Sequence, residues 1–127
     1  MATGLTRSVS PCHRKTVASI KKLGAESGRP IPDDHYGASF AFRLGPADES
    51  LVSKAFAARA RAAGADFDPE KYFALGKPEA VLERIAQYRA AGVSKFVLIP
   101  LAQSEAELLD QTRRLAGEVI PEAHSRA

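Results

Sequence analysis

The chain has 127 residues, 45% of them apolar and 26% charged, with a formal charge of +3. That is enough for one ordinary domain with a core of its own. No apolar run approaches the roughly 20 residues of a membrane helix, and MATGLTRSVSPCHRK has no apolar segment of a secretory signal. The single cysteine, Cys12, excludes an internal disulfide, and a cytoplasmic protein is expected.

Residues 1–9 are expected to be an unstructured lead-in. Ser10-Pro11 starts a helix, Ser as N-cap and Pro at the first helical position. Val17, Ile20 and Leu23 recur at helical spacing, and Gly28 stops the run. Gly24 within it should weaken the helix by about 1 kcal/mol relative to Ala. Arg7, Arg14, Lys15, Lys21, Lys22 and Arg29 face Glu26 alone, so this end carries +5 and the rest of the chain −2. A basic end can touch nucleic acid. No aromatic interleaving or nucleic-acid motif accompanies it, and the polar face of a helix is the preferred reading.

RPIPDDHYG is a loop that leads into a strand, Tyr36–Leu44. Tyr36, Ala38, Phe40, Phe42 and Leu44 share its bulky face; Gly37, Ser39, Ala41 and Arg43 share the small one. The bulky face suits packing against helices, and the small face suits a crowded interior. Gly45-Pro46 breaks the strand. Asp48 caps a helix to about Ala63, stopped by Gly64, and Asp68-Pro69 opens a short helical turn, PEKYFAL. Pro78 sits near the start of the next helix, whose buried stripe is Val81, Leu82, Ile85 and Tyr88; Gly92 ends it. Phe96–Ile99 is an unbroken apolar run, as in parallel strands covered on both faces. Pro100 closes it. Ser104 and Glu107 form a capping box. Leu108, Leu109, Thr112, Leu115, Val119 and Ile120 form the apolar side of the last helix, which Pro121 ends, and 123–127 is a tail.

The order is α/β with two strands. Two parallel strands leave edges with unpaired backbone groups and do not make a stable open sheet. The two strands are expected side by side and parallel.

GKPEAVLERIAQYRAAGVSKFVLIPL, followed by AELLDQTRRLAGEVIP, resembles the C-terminal end of the luciferase-like flavin-dependent oxidoreductases. SPCHRKTVASIKKLGAESGRPIP is similar to the helix and loop before that family's seventh barrel strand, so the resemblance spans roughly residues 8–122. It implies a (β/α)₈ barrel, a fold of about 250 residues. This chain would supply only the last two strands and their helices, Tyr36–Leu44 as strand seven and Phe96–Ile99 as strand eight. Residues 10–122 would be the C-terminal part of such a domain. Lys77 stands where the family often has an N-capping Thr, worth about 1 kcal/mol. Ile99-Pro100 stands where it often has Arg-Pro.

The resemblance further implies FMN or a deazaflavin coenzyme, which carries the chemistry while the protein positions it, at the C-terminal ends of the strands. Arg43, Pro100 and Gln103 are the cofactor-binding candidates: Arg43 could meet a phosphate or anionic substrate, and Gln103 could hydrogen-bond a ligand. The structural alternatives are an Arg snorkelling at a strand end and a solvated Gln. Cys12 beside His13, and His35 beside Asp33 and Asp34, are too few or too solvent-facing to be expected as metal sites, and His124 lies in the tail. No P-loop, dinucleotide fingerprint, nucleophile elbow or zinc spacing occurs. The expected function is a luciferase-like oxidoreductase or monooxygenase in partial form, inactive and flavin-free alone. The alternative is a non-enzymatic α/β interaction module or one half of a split barrel. Expected partners are an N-terminal barrel half or a second copy, with neither nucleic acid nor membrane. The isolated chain should self-associate through its apolar strands.

Overall fold

The computed structural model describes residues 11–64 and 68–126. The lead-in, Ser10 and the side chains of Cys12 and His13 lie outside the described residues, as does Ala127.

Helix α1 (Pro11–Glu26) comes first, then a 3₁₀ turn (Asp33–His35) and strand β1 (Gly37–Leu44). Helices α2 (Glu49–Ala63) and α3 (Pro69–Tyr72) follow. Strand β2 (Phe73–Gly76), helix α4 (Pro78–Ala90) and strand β3 (Lys95–Pro100) come next. The chain closes with α5 (Glu105–Arg114), a π-helical turn (Leu115–Val119) and α6 (Ile120–Ser125). No helix among the described residues is long and apolar enough to cross a membrane.

The sheet has three parallel strands in the order β2-β1-β3. The parallel pairing of β1 with β3 is as expected, from Gly37↔Lys95 to Phe42↔Pro100. The third strand differs from the expectation: Phe73–Leu75 falls in the helical turn PEKYFAL of the sequence reading, with Gly76 as a breaker, but Phe73–Gly76 is a strand. Four residues carry too little periodicity to tell strand from helix. The unpaired edge of β1 decides it, taking Ala41↔Phe73 through Leu44↔Gly76 as a ladder.

Parallel partners share a face, so the register sorts the side chains. Phe40, Phe42 and Leu44 are buried with Ala74, beneath Val81, Leu82, Ile85 and Tyr88 of α4 and Val119 and Ala123 of the C-terminal helices. Burying each large side chain contributes roughly 1.5–3 kcal/mol. Tyr88 lies parallel to Phe40 at 6.0 Å and meets Phe96 edge-on at 6.3 Å. Its hydroxyl donates to the Lys71 carbonyl at 2.8 Å, so the ring packs while its polar atom is satisfied.

The opposite face differs. At the β2 corner Phe56 of α2 packs on Phe73 with ring centres 4.5 Å apart. Toward β3 the face is bare: Val97 is 65% and Ile99 50% exposed, beside exposed Ser39. The expectation that 96–99 is covered on both faces is thus corrected. Phe96 and Leu98 pack against the helix-covered core, while Val97 and Ile99 stay exposed.

The stripe on α1 is also less buried than its spacing suggests. Val17 is half-buried, but Leu23 is 64% exposed. Lys21 pairs with Asp33 at 3.0 Å and lies 5.4 Å above the Tyr36 ring. Gly24 admits a close approach: a Cβ there would sit 3.1 Å from the Arg29 carbonyl oxygen as the loop folds back over the helix.

The last helix does not end at Pro121. Pro121 has no N–H to give an α-helical bond and its ring crowds the preceding turn. The helix widens into the π turn just before it and continues to Ser125, burying Ala123. His124 and residues 123–125, expected in a tail, are therefore helical.

Candidate functional site

In parallel α/β sheets, ligand chemistry gathers at the C-terminal ends of the strands. Here those ends carry an interlocked set of polar side chains. Glycine at position 45 permits the turn out of β1, with φ 85°. The Gly45 N–H donates to the Gly76 carbonyl at 2.7 Å, which ties the exits of β1 and β2 together.

On its other side β1 outlasts β3. The Leu101 N–H donates to the Phe42 carbonyl at 2.9 Å, and the chain then leaves the sheet. Leu44, two residues on, presents its N–H and carbonyl toward the same side with no strand there. Gln111 of α5 supplies the missing partner. Its Oε1 accepts from the Leu44 N–H at 2.7 Å, and its Nε2 donates to the Leu44 carbonyl at 2.9 Å. The side-chain amide thus stands in for one peptide of a neighbouring strand, and Gln111 is only 2% exposed. Arg114 Nη1 also donates to the Leu44 carbonyl at 2.7 Å, while its Nε donates to Glu118 at 2.8 Å.

Arg43 lies on the bare face at the end of β1, with a side chain 13% exposed. Its Nη1 donates to Glu107 Oε2 and to the Leu101 carbonyl, both at 2.9 Å, and its Nε to the Pro46 carbonyl at 3.4 Å. The same Glu107 oxygen accepts from the Gln103 N–H at 2.9 Å. Glu107 is held below the ordinary carboxylate range, first by the Gln103 N–H and then by Arg43. Half of the expected capping box forms: Ser104 Oγ accepts from the Glu107 N–H at 3.2 Å. The Glu107 carboxylate reaches past the N-cap to Gln103 and Arg43.

Of the three residues singled out from the sequence, Arg43 and Gln103 therefore meet, through Glu107. Gln103 takes part by its backbone, and the residue is exposed. Pro100 pairs with Phe42 and so sits on the helix-covered face, opposite Arg43. Glu107, Gln111 and Arg114 were missed as partners of β1. Their signal was present: Glu107, Gln111, Arg114 and Glu118 recur at spacings of four, three and four, a polar stripe on one helical face. Leu108 and Leu109, read as part of the apolar side, are exposed.

Compared with known proteins, the chain matches no family model, no curated protein and no solved structure. The site stands on its geometry. That geometry is a clamp: a guanidinium already neutralised by a carboxylate, and a buried amide spent on the backbone.

The remaining candidates separate. His35 Nδ1 lies 2.7 Å from Asp34 Oδ1, whereas Asp33 turns to Lys21. The bond from His35 holds Asp34 below its ordinary range. Among the described residues no group of three or more His, Cys, Asp or Glu could hold a metal ion.

Proposed function

We propose that the chain is the C-terminal portion of a luciferase-like, FMN- or deazaflavin-dependent oxidoreductase, inactive until further parallel strands complete its sheet. The observation that carries this reading is the bare face of β3. Parallel sheets are covered on both faces, yet Val97 and Ile99 stand open beside Ser39. Alternate residues of barrel strands face a packed interior in the same way. The parallel β1–β3 pair agrees with adjacent strands seven and eight, and the resemblance of residues 76–121 supports the family.

The residues present do not by themselves fit a flavin. Arg43 is engaged by Glu107. The cavity among Ser39, Ala41, Phe73, Arg59, Tyr72 and Ile99 measures about 80 Å³, well below the roughly 300 Å³ at which ligand pockets begin. No catalytic step is therefore assigned to these residues.

A second reading has an observation of its own. Strand β2 occupies the edge of β1 where a sixth barrel strand would lie. Phe56 of α2 packs on one face of the sheet and α4 on the other. That order and layering suit an open α/β module with a protein partner over Val97 and Ile99.

One experiment separates the readings. The chain is mixed with a polypeptide carrying the first six strand–helix units of a luciferase-like oxidoreductase, and surface labelling at Val97 and Ile99 is read alongside FMN and deazaflavin uptake. Protection together with uptake supports the oxidoreductase. Protection without uptake supports the module. Unchanged labelling at both residues sinks the barrel reading.

A further inference from the structure

On the helix-covered side, away from the bare face, α4, β3 and the C-terminal helices enclose a cleft of about 360 Å³. That volume lies within the range of small-ligand pockets, which are mostly apolar with a few placed polar groups. Its walls are Ile85, Leu98, Leu115 and Val119. Two of these, Leu115 and Val119, begin and end the π turn. Such turns concentrate at functional sites, and here the widened turn forms one wall of the cleft.

The polar lining is one-sided. Arg89 and His124 line the cleft, and Arg89 Nη1 donates to the Ala123 carbonyl at 2.9 Å. That bond uses one of five guanidinium donors and anchors the group beside the cleft. Ser94 also lines it, but its hydroxyl donates to the Asp33 carbonyl at 3.0 Å. Among the described residues no carboxylate lines the cleft. The nearby acids of the C-terminal helices pair with their own arginines, Glu118 with Arg114 at 2.8 Å and Glu122 with Arg126 at 3.5 Å. A fixed cation thus borders an apolar slot with no acidic side chain among the described residues that line it.

We infer that this cleft binds a small amphipathic anion, an alkyl monocarboxylate whose chain lies along Leu98, Leu115 and Val119 and whose carboxylate meets Arg89. An inorganic anion would leave the walls unused, and a neutral alcohol would leave the guanidinium unused. The inference does not depend on the barrel reading.

The test uses octanoate below its micellar range, octanol and inorganic phosphate as probes of the full chain, followed by backbone amide chemical shifts. Octanoate is expected to shift Leu98, Leu115 and Val119 saturably. Octanol should bind those positions about tenfold more weakly, and phosphate should not shift them. Arg89→Gln should bring octanoate down to the affinity of octanol, while Arg89→Lys keeps most of the difference. The wild-type comparison stands even if Arg89→Gln does not fold. Equal affinity for octanoate and octanol overturns the anionic ligand. Absence of saturable shifts at the three positions, or shifts at Val97 and Ile99 instead, overturns the site.

Discussion

The two faces of this small sheet carry similar apolar side chains with opposite fates. Phe40, Phe42 and Leu44 are sealed beneath α4 and the C-terminal helices, whereas Val97 and Ile99 of the neighbouring strand meet solvent. The difference teaches that hydrophobicity does not by itself decide burial; the availability of a covering element does. Helix α4 follows β2 with an apolar stripe of its own, and it lands on one face. α2 packs on the β2 corner of the other through Phe56, and its Arg59 borders a small cavity with Ile99, which still leaves Ile99 half exposed.

The largest effect expected is on the covered face. Phe42→Ala should cost about 3–5 kcal/mol in urea unfolding, because Phe42 is fully buried and the surrounding helices close only partly over the cavity. Ile99→Ala, equally apolar, should stay within about 0.5 kcal/mol. Similar losses at the two positions would break the contrast between the faces.

Next comes the joint between the sheet and α5. Gln111→Leu keeps the volume but leaves the buried Leu44 N–H without its acceptor, while Arg114 still serves the Leu44 carbonyl. A loss of about 1–3 kcal/mol is expected by the same unfolding measurement. A neutral result would show that water reaches this rung.

A third variant sharpens the meaning of the bare face. Val97→Lys with Ile99→Lys should leave stability within about 0.5 kcal/mol. It should weaken self-association at least about tenfold in sedimentation, since two apolar contacts would be removed. A wild-type chain that sediments as a monodisperse monomer with a cooperative melt would show that the face needs no cover.

The smallest effect is electrostatic and depends on pH. Glu107 lies below the ordinary carboxylate range in the folded chain. Its contribution is therefore fully present above the unfolded carboxylate pKa and lost as pH falls through the lowered folded value. Glu118, lowered by its bond from Arg114, adds a slope of the same sign. Unfolding midpoints measured from about pH 6 to about pH 3 should fall for the wild type and fall less for Glu107→Gln. Identical profiles would mean that the Arg43 contact adds nothing in solution.

Much of the fold was legible in the sequence because its signals were local. Alternation along Tyr36–Leu44 named the buried face, and the stripe of Val81, Leu82, Ile85 and Tyr88 named the helix that covers it. Asp48 was readable as a cap, and its carboxylate does accept from the Ser50 N–H at 2.7 Å. What was not legible depended on partners distant in the chain. Phe73–Gly76 is a strand because β1 has an edge to fill. Gln111 is buried because β1 is longer than β3. Leu108 and Leu109 are exposed because the helix turns its polar stripe inward. Pro121 by its usual habit ends a helix, while packing of Val119 and Ala123 against α4 rewards continuing through it. At the candidate site, Arg43 could be placed at a strand end, but its acceptor lay on an element whose docking no local pattern gave.

The bond between Gln111 and Leu44 also bears on the order of assembly. The two residues lie 67 positions apart in the chain, so the final rung of the central strand cannot close until α4 and β3 are in place and α5 has docked. Loop-closure entropy sets contacts of such span late in folding. Run backwards, the same linkage makes detachment of α5 and fraying of the β1 exit a single opening event. The amide proton of Leu44 should then exchange with solvent at the rate of that helix, whereas that of Gly45, bonded to the Gly76 carbonyl, follows the β1–β2 pair.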